Sequence, residues 1–345
     1  MATLDDLGGW PAVLGPLTQR RDLPFDHARA AMADVLAGNA TPAQIAGFIV
    51  GLRMKGETVD ELSGLLDAML DAAERVRLSS VDGVVDTCGT GGDRSHSINV
   101  STIAAFVVAG AGALVCKHGN RAASSACGSA DLLEALGVRI DLDPVGVARC
   151  VDSAGIGFCF APRFHPAMRH AIPTRRELGV PTVFNFLGPL ANPAGVRRQV
   201  VGVSDPAMAE RMARVLAARG GERALVVHGH DGLDELTTTT TSSLLELVDG
   251  EVRETTVDPG ELGLAFVDMG ALKGGDAATN ASLARAVLAG EPGPHRDIVA
   301  LNAAAGLLVA GVAADLADGL ARAVEALESG AAAAALDRLV KTSND

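Results

Sequence analysis

The chain has 345 residues, enough for one large domain or two, and 48% of them are hydrophobic. A formal net charge of −13 and an aromatic content of 3% argue against a nucleic-acid-binding protein, which needs a basic surface and, for single strands, rings that stack on bases. No apolar run has the length of a membrane span and no secretion leader opens the chain, so we expect a cytoplasmic protein that does not bind membranes.

Residues 1 to about 78 show helical patterns only. Thr41 followed by Pro42 predicts the start of one helix, and the capping box that begins at Thr58 predicts the start of the next. Both helices carry an apolar stripe at helical spacing. The stripes are formed by Ile45, Phe48, Ile49 and Leu52, and by Leu62, Leu65, Leu66 and Met69. The pattern predicts a small helical domain over residues 1–78, with a surface for packing against another part of the chain or a second copy.

From residue 79 onward, short apolar runs alternate with helical patterns, which predicts a larger α/β domain over residues 79–345. The runs lack strict apolar–polar alternation, as expected for strands buried on both faces of a mostly parallel sheet. In such sheets, ligands bind at the carboxyl ends of the strands. The predicted strands are Val84–Thr87, Leu114–Lys117, Gly157–Phe160, Gln199–Val203, Ala224–His228 and Leu244–Val248.

The segment 84–131 begins with a strand pattern that runs into the glycine-rich turn 89–93. A polar loop, an apolar helix and a second strand follow, and this strand leads into the basic loop 117–121. A strand, a glycine loop and a helix N-terminus favour phosphate binding, because backbone N–H groups and the helix dipole face the anion. The turn lacks the GK[ST] ending of a nucleotide P-loop and the third glycine of a dinucleotide-binding motif, so ATP hydrolysis and NAD chemistry are not indicated.

Acidic residues are missing from most of this segment. Residues 94–130 contain no Asp or Glu, although 42 acids in 345 residues predict about four or five in a window of this size. The same window contains Arg94, Lys117, Arg121 and two histidines. A buried βαβ unit also excludes acids, but it does not explain polar loop residues such as Asn99. The charge pattern therefore favours an anionic ligand.

Residues 162–193 interrupt the α/β alternation with six prolines. Between residues 161 and 176 the chain has four arginines, two histidines and no acid. We expect this segment to return to the helical domain and to line the cleft between the two domains. The alternative is an irregular surface loop with a solvated basic face.

Asp234 and Glu235 follow a predicted strand and precede five consecutive threonines, 237–241. Adjacent carboxylates at a strand end can bind Mg²⁺ together with waters and substrate phosphates. His228 and His230 lie close by, but no third ligand at a matching spacing supports zinc. The pair is therefore a candidate magnesium site, with two solvated loop carboxylates as the alternative.

Several motifs together resemble the anthranilate phosphoribosyltransferase family. They are GTGGD at 89–93, NVST at 99–102, KHGNRAASS at 117–125, RRELG at 175–179, FNFLGPLANP at 184–193 and GLDEL at 232–236. Their order and spacing match the family over nearly the whole chain, including the helical N-terminus, which makes the resemblance specific. The threonine run and Cys127 are unusual for the family.

The resemblance implies the nucleoside phosphorylase-like phosphoribosyltransferase fold and a homodimer formed through the helical domain. It implies transfer of the phosphoribosyl group from 5-phosphoribosyl 1-diphosphate (PRPP) to the amine of anthranilate, with release of diphosphate, in tryptophan biosynthesis. Mg²⁺ is the implied cofactor, with two ions per subunit. No general base is expected, because the arylamine is already neutral and nucleophilic at pH 7. Two alternatives stay open: a pyrimidine nucleoside phosphorylase of the same fold, and a non-catalytic relative that binds nucleic acid.

The resemblance also implies roles for individual residues. Contacts with anthranilate are implied for Gly89, Asn120 and Arg175, and an arginine can bind a carboxylate through two hydrogen bonds. Ser101, Asp234 and Glu235 resemble metal ligands. Contacts with PRPP are implied for Gly89, Gly92, Asp93, Ser97, Asn99, Val100, Ser101, Thr102, Lys117, His118, Gly119, Asn120, Arg121, Ala122, Ala123, Ser124, Ser125 and Ser129.

Overall fold

The computed structural model describes residues 2–122 and 126–345. The first part of the chain is helical, as predicted. Thr41 and Thr58 both form capping boxes, with Gln44 and Glu61 respectively, and the two predicted apolar stripes are buried. The helices are α1 (Gly9–Thr18), α2 (Phe25–Ala37), α3 (Pro42–Lys55) and α4 (Val59–Asp71).

The strands of the described residues form a single seven-stranded sheet in the order β3-β2-β1-β4-β5-β6-β7. They are β1 (Val84–Gly89), β2 (Leu114–Gly119), β3 (Ile156–Phe160), β4 (Arg198–Gly202), β5 (Arg223–Gly229), β6 (Ser242–Val248) and β7 (Glu251–Val257). Strands β1 to β5 are parallel, and β6 and β7 are antiparallel to their neighbours. The mostly parallel sheet is confirmed. Strand β7 was not predicted, because its exposed, charged sequence lacks an apolar run.

Helices cover the sheet. The most deeply buried is α5, which packs on α13 and α15 and whose apolar residues fit between these helices and β1. The helices after β1 are α5 (Val100–Gly110), α6 (Ser129–Ala135), α7 (Pro144–Ala154), α8 (Ala161–Phe164), α9 (Ile172–Leu178), α10 (Val183–Leu190), α11 (Pro206–Ala218), α12 (Ala277–Leu288), α13 (Pro294–Ala310), α14 (Leu316–Glu328) and α15 (Ala331–Asn344). Among the residues described, no helix combines the length and apolarity needed to cross a membrane.

Residues 162–193 are largely helical and pack on the N-terminal helices. The turn Pro166–His170 contacts α2, α9 contacts α3, and α10 contacts both α3 and α4. Phe184 and Phe186 belong to the same hydrophobic cluster as Phe48 and Leu65. These contacts fit the expected return to the helical part of the chain. The division into domains over 1–78 with 162–193, and over 79–345, stays a prediction, because packing alone does not define a folding unit.

The order of the strands reverses between β1 and β4. The chain runs from β1 outward to β2 and β3 on one side, and then continues with β4 and β5 on the other. Strands β1 and β4 are neighbours, and Gly89 is paired with Gly202 at their carboxyl ends. Ligands of open α/β sheets bind at such a reversal, because the loops diverge there and leave a crevice.

Candidate active site

The loop between β5 and β6 reaches back over the crevice and places Asp234 on the ends of β1 and β4. A Cβ atom on Gly89 would overlap the Asp234 carboxylate, and one on Gly202 would overlap the Asp234 carbonyl oxygen. Glycine at both strand ends is therefore what allows this loop to approach the sheet. The close approach brings Asp234, a predicted metal ligand, into contact with the glycine-rich turn 89–93, the predicted phosphate-binding loop.

The loop from β1 to α5 is tightly wound. Gly91 and Gly92 have φ angles of 64° and 82°, and Arg94 and His96, with φ of 60° and 56°, also adopt the left-handed conformation. Non-glycine residues enter this region rarely and at a cost in energy, so the loop conformation is imposed by its surroundings. The loop follows β1 at the carboxyl edge of the sheet, where the phosphate hypothesis places the ligand.

Hydroxyl groups and the Asp93 carboxylate hold the middle of this loop. Ser95 donates through its N–H and its Oγ to the two oxygens of Asp93, at 3.3 and 2.7 Å. Ser97 donates its N–H to the Ser95 Oγ at 3.1 Å and forms a bridge with Lys273. Ser97 thus lies in the loop with Asp93, on the side that faces residues 272–274.

Helix α5 starts at the end of this loop, and a carboxylate occupies its N-terminus. The Ser101 N–H donates to Oε1 of Glu235 at 3.0 Å, and Glu235 is buried. An anion is favoured there by the helix dipole and the free N–H groups. The side chains of Val100 and Thr102 point into the core, so these two residues present only backbone groups to a ligand. Ser101 and Glu235, both predicted metal ligands, are therefore in contact.

Three carboxylates converge at this edge. Oδ2 of Asp234 accepts the Gly91 N–H at 2.7 Å, and the Asp93 carboxylate lies against Asp234. Burial, followed by the charge of Asp93, raises the pKa of Asp234 to about 7. Burial, followed by the charge of Asp234, raises the pKa of Glu235 to about 8. Carboxylates with like-charged neighbours and little water gain strongly from a nearby cation.

This donor set fits magnesium. Mg²⁺ is usually bound by one or two carboxylates, with waters and substrate phosphates completing its shell, rather than by a cage of protein ligands. Asp234 and Glu235 supply two carboxylates beside a loop whose N–H groups suit a phosphate. No cluster of three or more His, Cys, Asp or Glu side chains that could hold a metal by itself occurs in residues 2–122 and 126–345. The site thus suits a metal that arrives with an anionic substrate.

Lys117, at the end of β2, is buried beneath the loops. Its Nζ donates to the Thr87 carbonyl oxygen, and its charge lowers the pKa values of Asp86 and Glu235. Burial still raises the pKa of Asp86 to about 6. The ammonium group therefore compensates part of the acidic charge, and it bridges β2 to β1, the two strands that lead into the predicted substrate loops.

His118 is neutral in this environment. Its ring Nδ1 donates to the Gly188 carbonyl oxygen at 3.1 Å, and its backbone N–H donates to Oδ1 of Asp86 at 3.0 Å. Burial, followed by the neighbouring His165 ring at 5.2 Å, lowers the pKa of His118 to about 3. Because Nδ1 carries the proton, Nε2 is an acceptor, and among the described residues it has no partner.

The loop after β2 folds back on the start of α6. Ser129 Oγ accepts the Asn120 N–H at 3.1 Å and donates to the Asn120 carbonyl oxygen at 3.0 Å. This exchange lies directly over Gly119, where a Cβ atom would meet the Ser129 hydroxyl. Asp131 accepts the N–H groups of Ala122 and Gly128 at 3.0 and 2.9 Å. The predicted ligands Ala123, Ser124 and Ser125 lie outside the described residues.

Arg121 is paired with acids. Its guanidinium bonds to Glu134 at 2.5 and 3.0 Å and to Asp131 at 2.9 Å, and it lies 5.5 Å from the centre of the Phe160 ring. These partners raise the pKa of Arg121. The side chain is 47% exposed, so it can exchange these acids for a phosphate without a large desolvation cost.

Arg175, on α9, differs from Arg121 in its surroundings. Its guanidinium lies 4.9 Å from the centre of the Phe184 ring, and within residues 2–122 and 126–345 it has no acidic partner. Burial lowers its pKa. Phe184 is on α10, one helical turn before Gly188, the residue that accepts from His118. A half-buried arginine, with no acidic partner among the described residues, therefore lies against α10, the helix that contacts the end of β2.

Similar proteins agree with this architecture. Residues 11–73 match the model of the glycosyl transferase family, helical bundle domain, and residues 81–333 match that of its a/b domain. An anthranilate phosphoribosyltransferase from a Nocardioides species is 57% identical over 337 residues, which cover 96% of this chain and 98% of the relative. The chain belongs to the anthranilate phosphoribosyltransferase family.

Solved structures of the family have the same fold. The crystal structure of the anthranilate phosphoribosyltransferase from Thermus thermophilus aligns with a TM-score of 0.91 at 43% identity, covering 96% of this chain and 99% of that one. The Saccharomyces cerevisiae enzyme, in complex with PRPP and Mg, aligns with a TM-score of 0.89 at 25% identity, covering 97% and 98%. The family and the fold expected from the motifs are confirmed.

Two buried asparagines and one buried acid also support the site, although none of them was predicted as a site residue. Asn192 donates to Asp86 and to the Cys116 carbonyl oxygen, both at 2.8 Å. Asn280 donates to Oδ1 of Asn99 at 2.9 Å, and Asn99 in turn donates to the Cys127 carbonyl oxygen at 3.0 Å. Asn99 thereby joins the two predicted substrate loops. An acid within an apolar strand, as at Asp86, is the signal that was available in the sequence.

Proposed function

We propose that this protein transfers the phosphoribosyl group of PRPP to the amine of anthranilate and releases diphosphate, as a step of tryptophan biosynthesis. Membership of the family supports this reaction, and the observation that carries it is the contact between the Asp234–Glu235 pair and the amide-rich loop that ends β1. The similar proteins identified above carry this activity in their names, and they give no support to the nucleoside phosphorylase or nucleic-acid-binding alternatives.

PRPP would lie across the crevice, with its two anionic ends against different loops. The diphosphate and ribose would face Gly89, Gly92, Asp93, Ser97 and the start of α5 at 99–102. The 5-phosphate would face the loop from Lys117 to Ser125 together with Ser129. Arg121 would leave Glu134 for the phosphate, since its present ion pairs are exposed and weak. Two separate anion sites fit a substrate that carries phosphate at both ends.

Mg²⁺ would be held by Asp234 and Glu235, and a second ion by Ser101 with the diphosphate. When bound, the metal supplies positive charge to the oxygens of the leaving group. The convergence of Asp93, Asp234 and Glu235 supports this assignment, because each of the last two carboxylates is close to a like-charged neighbour and Glu235 is only partly compensated by the buried Lys117. The PRPP and Mg complex of the yeast relative supports the use of magnesium, and two ions per subunit is our proposal.

Anthranilate would bind between the β2 loop and α9. Arg175 is the proposed partner of its carboxylate, with Asn120 and Gly89 beside the ring. The absence of an acidic partner within the described residues leaves the Arg175 guanidinium available to an anionic ligand. His118 would orient the substrate as a neutral imidazole.

The chemistry would depend on positioning and electrostatics. As the bond from C1 to diphosphate breaks, positive charge develops on the ribose and negative charge on the leaving group. The N–H groups of the β1 loop and the N-terminus of α5 face that negative charge. Holding the amine near C1 replaces a bimolecular encounter with an ordered one. A strong base is unnecessary, because the amine attacks as a neutral group.

The loss of anthranilate fluorescence on incubation with PRPP and Mg²⁺ tests the proposal. We expect turnover that requires all three components and stops when the metal is chelated. Mass spectrometry should detect the phosphoribosylated product in the same samples. Stable fluorescence over a range of Mg²⁺ concentrations, with a correctly folded protein, would refute the assignment.

We also propose that the protein is a homodimer joined through its helical part, and that it acts in the cytoplasm. The exposed Met54 on α3, at 70%, and Ile172 on α9, at 41%, support an apolar contact on this side of the molecule. Sedimentation equilibrium of the wild-type chain and of Met54→Lys would test the interface, since a charge in its centre should shift the distribution toward monomer.

A further inference from the structure

A buried asparagine stands out in helix α13. Asn302 is 2% exposed, and the other buried residues between 298 and 309 on this helix are apolar side chains or glycine. An amide at such a position weakens the helix and must be desolvated, so its hydrogen bonds need to be satisfied. Its partners therefore indicate why the residue is there.

The amide of Asn302 is bonded on both sides to the backbone of Leu236. Its Oδ1 accepts the Leu236 N–H at 2.9 Å, and its Nδ2 donates to the Leu236 carbonyl oxygen at 2.8 Å. The second Nδ2 hydrogen goes to the Ile298 carbonyl oxygen at 2.9 Å, one turn back in the same helix. Leu236 is fully buried, so its peptide groups have this asparagine in place of water.

Leu236 directly follows Asp234 and Glu235, and its backbone sets the direction in which they point. The two carboxylates bond to the Gly91 and Ser101 N–H groups, which belong to the loop and helix proposed to bind PRPP. Those bonds have to adjust when a substrate anion approaches the same N–H groups. The bonds to Asn302 come from a buried helix and are independent of the substrate.

Helix α13 is a rigid support for this purpose. It packs against α5, whose first turn receives Glu235, and Gly306 of α13 lies against Val108 of α5 and Thr87 of β1. The same helix therefore fixes the position of α5 and, through Asn302, the position of the carboxylate pair. Helix α13 therefore restricts movement of the carboxylate pair relative to α5.

We infer that Asn302 is a positioning residue of the reaction, which holds the Asp234–Glu235 pair in the orientation that binds the metal by clamping the backbone of Leu236. The inference rests on the metal role proposed for this pair. Partners that orient metal ligands from behind typically change metal affinity by about 10- to 100-fold when removed.

Asn302→Ser is the most informative variant. A serine hydroxyl can still donate to the Ile298 carbonyl oxygen within the helix, while both bonds to Leu236 are lost. The matched control is Val299→Ala, which removes packing from the same helix at a fully buried position in a different hydrophobic cluster from Leu236. If the serine variant does not fold, Asn302→Thr fills more of the space and also lacks the clamp.

Two measurements on the full chain separate positioning from stability. Binding of Mn²⁺ in the presence of inorganic diphosphate should weaken about 10-fold in Asn302→Ser and stay unchanged in Val299→Ala. Amide hydrogen exchange in peptides covering residues 232–241 should accelerate in the serine variant and not in the control. Glu235→Gln, measured in parallel, should also weaken Mn²⁺ binding.

The outcomes distinguish the two proposals. If Glu235→Gln weakens Mn²⁺ binding and Asn302→Ser does not, the metal site stands and the positioning role is refuted. Equal losses in Asn302→Ser and Val299→Ala would also refute it, since a general loss of stability would then explain both. If Glu235→Gln leaves Mn²⁺ binding intact, the metal role itself fails.

Discussion

The two sides of the crevice prepare for an anion in opposite ways. The acidic side, formed by Asp93, Asp234 and Glu235, brings carboxylates together and raises the pKa values of the latter two. The basic side, formed by Lys117 and Arg121, has cations that are already bonded to a carbonyl oxygen and to acids. The acidic side therefore needs a cation before it can accept diphosphate, whereas the basic side needs only to exchange partners.

This difference separates binding from chemistry. A change on the acidic side should affect the metal and the leaving group, and hence the rate of bond breaking. A change on the basic side should affect the affinity for substrate while turnover is largely kept. Four experiments would break or sharpen this contrast.

The largest effect is expected from removing the acidic pair. Asp234→Ala with Glu235→Ala should lower kcat/KM for PRPP by about 10³-fold. The variant loses the carboxylates proposed to hold Mg²⁺, and with them the positive charge that neutralises the diphosphate as it leaves. Steady-state fluorescence kinetics over a range of Mg²⁺ concentrations would measure it. The control is Glu251→Ala with Glu254→Ala, which removes two exposed acids from β7 and should leave kinetics unchanged. A loss smaller than tenfold would exclude a central role for the pair.

The next largest effect is expected at Arg175, a half-buried cation that has no acidic partner among the described residues. Arg175→Ala should raise KM for anthranilate by about 10- to 100-fold with a smaller change in kcat, because a charge-assisted hydrogen bond to the substrate is lost. Arg176→Ala, at the neighbouring exposed position, is the control. An unchanged KM for anthranilate in the first variant would place the carboxylate elsewhere.

A pH dependence should reveal the strain on the acidic side. The folded protein holds Asp234 and Glu235 at pKa values near 7 and 8, above their ordinary values of 3.8 and 4.5, so it binds protons that the unfolded chain releases. Their contribution to stability is complete below about pH 4 and is lost as the pH rises through 7 and 8. The melting temperature of the metal-free protein should therefore fall between about pH 4 and pH 8.

Asp234→Asn with Glu235→Gln isolates that contribution, because every other titrating group is common to both proteins. Thermal unfolding monitored by circular dichroism at several pH values should show a shallower decline for this variant. Parallel curves for the two proteins would mean that the carboxylates have ordinary pKa values in the folded state.

The smallest effect is expected at the ion pair of Arg121. Glu134→Gln should leave Arg121 paired with Asp131 alone, make the guanidinium easier to recruit for phosphate and lower KM for PRPP by about twofold, since exposed pairs of this kind are weak. The melting temperature should hardly change. Glu210→Gln, which breaks a similarly exposed pair with Arg214, is the matched control. A rise in KM for PRPP would show that Glu134 holds Arg121 in its binding position instead of competing for it.

Local patterns were sufficient for much of the architecture. The helix starts at Thr41 and Thr58 were predictable because capping depends on a few consecutive residues. The parallel strands were predictable from uninterrupted apolar runs. Strand β7 was missed because an exposed edge strand needs no such run. The positions of the site loops followed from the rule that parallel strands present their carboxyl ends at one edge of the sheet.

The sequence by itself determined the family, the order of the N-terminal helices and of strands β1 to β6, and the residue types that face an anionic ligand, because these depend on motifs, composition and spacing within short segments. Only the tertiary structure decided that Glu235 lies at the N-terminus of α5, that Lys117 is buried under the loops, and that Asn302 clamps Leu236. Each of these contacts joins residues far apart in the chain. Burial and hydrogen bonding across such distances are set by packing, which no local pattern encodes.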